Sequence, residues 1–220
     1  MGRLAIGLML MVAVQEAPAD AAAKAALQKL SAKMKDVRTL TASVIQSRKT
    51  ELLDKPIVSS GTMAYRRESA RLIFHLTEPR KAEILLDKSS YQVYRPDEKR
   101  LERIDFESED VTAKILMVFE PKADEIGKAF TVKGGEVREG AIEVQLESSE
   151  ERFRKRMKKI VLTIAEADGA LRRIAYTDAE GDEVQFDLTK VEVNPELPAD
   201  AFILKTPEGT RILRRTVGDK

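Results

Sequence analysis

The sequence contains no cysteine and no tryptophan. Without thiols there is no disulfide framework, no thiolate metal site, no cysteine nucleophile and no acylation cysteine of the lipoprotein type. Aromatic residues make up 5% of the 220 positions, too few for a platform that stacks bases or sugars. A dominant charge is missing too: 38 Lys and Arg stand against 37 Asp and Glu, so no global field recruits nucleic acid. The G-x-S-x-G and H-E-x-x-H patterns and a phosphate-cradling glycine loop do not occur. The single histidine, His75, sits in mid-strand beside Arg71 and Ile73, where a structural or surface role is the ordinary one. Asp178 to Glu183, "DAEGDE", has its glycine at the fourth position and lacks a twelfth-position glutamate, so it reads as a charged hairpin turn rather than a calcium loop. Carboxylate neighbours such as Asp105/Glu107 and Glu150/Glu151 are expected by chance in a chain that is 34% charged. No enzyme activity, metal or cofactor is expected.

Long apolar runs are also absent. The longest, Leu4 to Val14, follows Arg3 and precedes Ala17-Pro18-Ala19. It is too short to span a bilayer and fits a signal peptide with cleavage near Ala19, so residues 1–19 are read as a leader and 20–220 as one exported domain.

What is present is periodicity. Asp20 to about Val37 carries Ala23, Leu27, Leu30, Met34 and Val37 at helical spacing. From Leu40 the period becomes two. "SSGTMAYRRESARLIFHL" alternates around a turn near Glu68 and Ser69, and short strands follow at Glu83–Leu86, Tyr91–Tyr94 and Arg100–Ile104. A helical interruption follows, with Ser108 as a cap, Pro121 opening a second helix, and Ile115, Val118 and Phe119 on an apolar face. Strands then resume, with hairpin turns expected at Gly134-Gly135, Asp168-Gly169 and Glu180-Gly181. Inward parity slips between Leu188 and Val191, which predicts a bulge near Lys190. Near the end, "PELPADAFILKTPEG" predicts a proline-marked turn and a short closing edge strand at Phe202 to Leu204.

These elements predict a mainly β fold with a helical lid (α+β): an unclosed antiparallel β-barrel of about ten to eleven strands, covered by the N-terminal helix and short mid-chain helices. The helix stripes are slender, so the concave face is expected to be only partly filled and to hold a hydrophobic cavity. Its expected lining is Met63, Tyr65, Leu72, Phe74, Leu76, Ile84 and Leu86 on the early strands, and Ile142, Val144 and Leu146 later. Ile115, Val118 and Phe119 are the expected lid. The basic run Arg152 to Lys159, "RFRKRMKK", reads as a solvated outer strand, with an anionic lipid surface or a partner protein as the alternative.

Three segments resemble the LolA-type periplasmic carriers that ferry lipoproteins to the outer membrane. "SGTMAYRRESARLIFHLTEP" is similar to the family's "SGTL…RP…F.W…P", and "SSYQVYRPDEKRLERI" to its "dG…w.Y.P…Q" hairpin. "YTDAEGDEVQFDLTKVEVNPELPADAFILKTPEG" resembles its terminal segment. The resemblance implies an unclosed barrel with a helical lid over a hydrophobic cavity, acting as a monomeric carrier. It implies acylated lipoproteins as cargo, an inner-membrane lipoprotein-releasing transporter complex as donor, and an outer-membrane receptor as acceptor. A lipid- or lipoprotein-sensing module on the same fold is the alternative. In the family an arginine of the first segment latches the lid; by position, six residues after Gly61, it falls on Arg67, with Arg66 adjacent.

Overall fold

The structure, a computed structural model, describes residues 18–107, 110–117, 119 and 123–217. Of residues 1–19, read above as a leader, 1–17 lie outside the described residues, as do the expected cap Ser108, Val118 and Pro121. Among the described residues no helix is long and apolar enough to cross a membrane.

Helix α1 (Pro18–Met34) is followed by β1 (Thr39–Lys49), β2 (Ile57–Arg66), β3 (Arg71–Glu78), β4 (Ala82–Leu86), β5 (Ser90–Arg95) and β6 (Arg100–Phe106). Two short helices, α2 (Asp110–Leu116) and α3 (Ala123–Ala129), lead into β7 (Phe130–Arg138) and β8 (Ala141–Ser148). Then come α4 (Glu151–Arg156), β9 (Met157–Ala165), β10 (Leu171–Asp178), β11 (Glu183–Val193) and β12 (Arg211–Val217). All twelve strands form one open sheet in the order β12-β6-β5-β4-β3-β2-β1-β11-β10-β9-β8-β7. The expected fold class holds, with one strand more than the upper expectation. Every pairing is antiparallel except β12 with β6, which is parallel.

The alternation along the strands puts one apolar face on the inside. Ala42 and Val44 of β1, Met63 and Tyr65 of β2, and Ile142, Val144 and Leu146 of β8 are buried in one core. Helix α1 adds Ala23, Ala26, Leu27, Leu30 and Met34, spaced by threes and fours, and lies across β7, β8 and β9. Burying each large side chain of that stripe contributes about 2 kcal/mol, which a helix with so thin an apolar face needs in order to hold.

Glycines set how closely α1 can lie. Gly134-Gly135 is not a hairpin turn, as expected from sequence, but a bulge inside β7, where the register with β8 shifts. The turn lies at Glu139-Gly140 instead, both at positive φ. A Cβ on Gly134 would stand 3.0 Å from Ala19 Cβ of α1, and one on Gly135 would stand 2.6 Å from Ile142 Cγ2 of β8, so the pair clears the helix on one side and the neighbouring strand on the other. Gly169, in the β9–β10 turn, has φ +66° and would bring a Cβ within 2.8 Å of Lys29 Cβ. That turn is tied to α1 by Lys29 Nζ, which donates to the Glu166 carbonyl, and by Lys33 Nζ, which donates to Asp168 Oδ2, both at 2.9 Å. The hydrogen bond from Lys33 holds the Asp168 carboxyl below its ordinary range.

The predicted bulge is present: Lys190 has φ 48°, and between Thr41↔Glu192 and Ser43↔Thr189 the β11 strand carries one residue more than β1. Two other expectations are corrected. The basic run from Arg152 is not a strand throughout: through Arg156 it is α4, and β9 begins at Met157. Phe153 is 2% exposed and meets the Phe130 ring edge-on at 5.8 Å, so one buried aromatic decides the local shape. Phe202 to Leu204 form no strand. Residues 199–202 turn, Ile203 is more than half exposed, and Phe202 alone is buried, with Ile73 and Leu85 on the convex face. The chain crosses the outside of the sheet there and adds β12 beside β6, the parallel pairing that local alternation could not announce.

Gly169→Ala adds both left-handed strain and a backbone clash with α1. It is expected to destabilise the fold by about 2 kcal/mol, read as a lower urea midpoint at unchanged slope.

Candidate functional site

Because α1 covers one flank of the concave face, the other flank keeps a hollow. It is lined by β1 to β5 from one side and by β9, β10 and β11 from the other. This lining from both halves shows that the sheet curls. The free volume is about 150 Å³.

Seven of the expected residues line it: Met63, Leu72, Phe74, Ile84 and Leu86 on the strands, with Ile115 and Phe119 from the lid side. Tyr65 stands behind them, fully buried, its ring stacked on Phe119 with centroids 5.5 Å apart. Leu76 is buried but does not reach the cavity. Ile142, Val144 and Leu146 fill the core on the α1 side instead of lining it. Val118 is outside the described residues.

The opposite wall went unread in the sequence. Phe186 of β11 packs on Phe74 at 5.1 Å and on Tyr176 at 6.4 Å, bridging the two halves across the hollow. Met157, Ile160, Ile174 and Leu188 complete that wall. Polar groups enter it as well: Gln46, Arg48, Tyr91 and Tyr176. The alternation Ala42-Val44-Gln46-Arg48 was the available signal, since two polar residues continue an inward-facing apolar row. Arg48 Nε donates to Asp182 Oδ2 at 2.7 Å and Nη2 to Asp178 Oδ2 at 2.9 Å, in the β10–β11 turn. Burial alone lowers the guanidinium's pKa, but the two aspartates more than offset this, so it is held charged. Burial pushes both the Tyr91 and Tyr176 hydroxyls up from their ordinary value, so both stay protonated.

Arg67 lies just beyond β2 and does not enter the cavity lining. Its Nη1 and Nη2 donate to the carbonyls of Lys35 and Met34, each at 2.6 Å, and its backbone N–H donates to the Arg38 carbonyl. It therefore fastens the C-terminal end of α1, satisfying carbonyls that a helix end leaves open. Arg66 points the other way, with its guanidinium 4.8 Å over the Phe202 ring and Nη2 donating to the Pro198 carbonyl. His75 is half-exposed, 3.9 Å from Glu83, on the convex face.

Phe119 closes the hollow from above. Phe119→Ala removes the stack on Tyr65 and is expected to cost about 3 kcal/mol in stability while speeding the entry of an apolar fluorescent probe, measured by stopped flow.

Residues 35–205 match the family Outer membrane lipoprotein carrier protein LolA. An outer-membrane lipoprotein carrier protein of Cupriavidus pinatubonensis is 22% identical over 159 residues, which is 71% of each chain. Among solved structures, an uncharacterized conserved protein from Thermus thermophilus has the same fold at TM-score 0.52 and 11% identity, covering 88% of this chain and 99% of that one. With the family match spanning most of its length, the chain belongs to the LolA family of outer membrane lipoprotein carrier proteins.

Proposed function

We propose that the protein is an exported, non-enzymatic carrier that shields the acyl chains of lipoproteins in this cavity and moves them through the periplasm. It would take them from an inner-membrane releasing complex to an outer-membrane acceptor. The observation that carries this reading is the cavity itself: a hollow walled by aliphatic and aromatic side chains from both halves of the sheet, under a lid of Ile115 and Phe119. Such a wall holds apolar chains by area alone. Each methylene removed from water contributes about 0.8 kcal/mol, so one long acyl chain is worth roughly 10 kcal/mol before ordering costs. No bond is made or broken in such a transfer.

The free volume of about 150 Å³ suits a guest the size of a single benzene ring, which is smaller than a long acyl chain. The described conformation therefore corresponds to a closed carrier, and loading requires the lid to swing away from Tyr65. In this reading Arg67 acts as a latch through α1. Its two short hydrogen bonds hold the helix end against β2, so the α1 end and the cavity roof yield together.

Two experiments test the proposal. The protein, recovered gently from a periplasm that expresses tagged lipoproteins, is expected to carry acylated cargo detectable by mass spectrometry. Recovery free of acylated cargo under conditions of active lipoprotein release overturns the carrier reading. Arg67→Leu is expected to leave cargo bound but slow its handover to acceptor membranes. Transfer kinetics unchanged from the parent would remove Arg67 from the mechanism.

A further inference from the structure

The cavity is apolar along most of its wall, but four polar side chains are gathered into it: Gln46 and Arg48 from β1, Tyr91 from β5 and Tyr176 from β10. Two of them are phenols whose hydroxyls have no hydrogen-bond partner among the described residues. Both residues are half-buried, and both feel the charge of Arg48, Tyr91 after that of Arg95. Neither hydroxyl is among the fully buried polar atoms that lack a partner, so each reaches accessible space and is free to donate to a guest in the cavity.

The charge beside the phenols sets which acceptor fits. Arg48 alone would welcome an anion, but its Nε and Nη2 are held by Asp182 and Asp178. One guanidinium against two carboxylates leaves the cluster with a net charge of about −1 at neutral pH. A free fatty acid or a phosphate headgroup brought here meets a guanidinium whose charge the two aspartates behind it already offset, although three of its N–H groups stay unengaged by them. An uncharged carbonyl oxygen meets phenol donors without repulsion from that net charge.

We infer that this polar end of the cavity reads the linkage of the bound amphiphile: Tyr91 and Tyr176 donate to the ester carbonyls of an uncharged glyceride, while the Arg48–Asp178–Asp182 cluster disfavours acidic headgroups. This inference rests on the carrier reading of the cavity and deepens it, since it names the chemical class of guest. The acyl chains lie along the apolar wall, and the two carbonyls, where the chains join the glycerol, come to the tyrosines. A guest of this class enters with its linkage neutral and needs no counter-ion.

The test is displacement of the fluorescent probe phenylnaphthylamine from the purified protein by three two-chain competitors of equal chain length. These are dioctanoylglycerol, the corresponding dioctyl glycerol ether, and dioctanoyl phosphatidic acid. The diester is expected to displace the probe at about one tenth the concentration of the diether, the effect of one or two neutral hydrogen bonds. It is also expected to act at lower concentration than the phosphatidic acid. In Tyr91→Phe/Tyr176→Phe the ester-over-ether preference, read as the ratio of displacing concentrations against that variant's own probe affinity, is expected to vanish. Circular dichroism of the double variant reports whether it is folded. A wild type that binds diester and diether equally, a preference that survives loss of both hydroxyls, or phosphatidic acid as the strongest competitor would each overturn this inference while leaving the cavity reading intact. Failure of the probe and of all three competitors to bind would overturn both.

Discussion

One curled sheet must keep its concave face from water, and the helices available to cover it are too slender to fill the space. Helix α1 lies across β7 to β9, and its small side chains, together with Gly134 and Gly135 beneath it, let it sit close. Its closeness there is what leaves the far flank, from β1 to β5, without a filler. The hollow lies beyond the reach of α1, and Phe119 from the lid side, stacked on Tyr65 of β2, closes it.

That asymmetry divides the sheet into two parts with different physical demands. Under α1 the inward residues Ile142, Val144 and Leu146 are locked against a helix and behave as ordinary core. Across the cleft, Phe186 touches both Phe74 and its neighbour Tyr176, and all three line the free space. Lost dispersion contacts make such a lining less stable than filled core, and a guest that restores them gains the difference. The helices on the lid side are seven residues each, too short to stand alone, and are held by Leu116, Phe119 and Ile126 docked in the core.

Much of this was legible as periodicity. Alternation placed Met63, Leu72, Phe74, Ile84 and Leu86 on the inside, and the parity slip located the bulge at Lys190. What stayed hidden shares a cause: each case depends on a neighbour distant in sequence. Gly134-Gly135 carries the local signature of a turn, and only the approach of Ala19 and of Ile142 explains it as clearance. Phe202 sits among prolines and looks like half a strand until Ile73 and Leu85 supply a pocket on the convex face. The strand at Arg211–Val217 is exposed along nearly its whole length, so it has no apolar alternation to betray it. The polar end of the cavity was missed for another reason. Tyr91, Tyr176, Gln46 and Arg48 come from three strands, and each alone is ordinary in a charged chain.

The position of β1 carries a consequence for how the chain assembles. It finds β2 on one side at once, but its other neighbour is β11, nearly at the opposite end of the sequence. The joint is finished by Asn194, whose side-chain oxygen accepts from the Arg38 and Thr39 amides and whose own N–H donates to the Thr39 carbonyl. Until that distant segment arrives, the first strand is a bare edge carrying Val44 and Ile45, open to any other extended chain. Contacts of such sequence separation make folding slow. As the chain emerges N-terminus first, the seam between β1 and β11 is the step at which a half-folded sheet either closes on itself or pairs with a stranger.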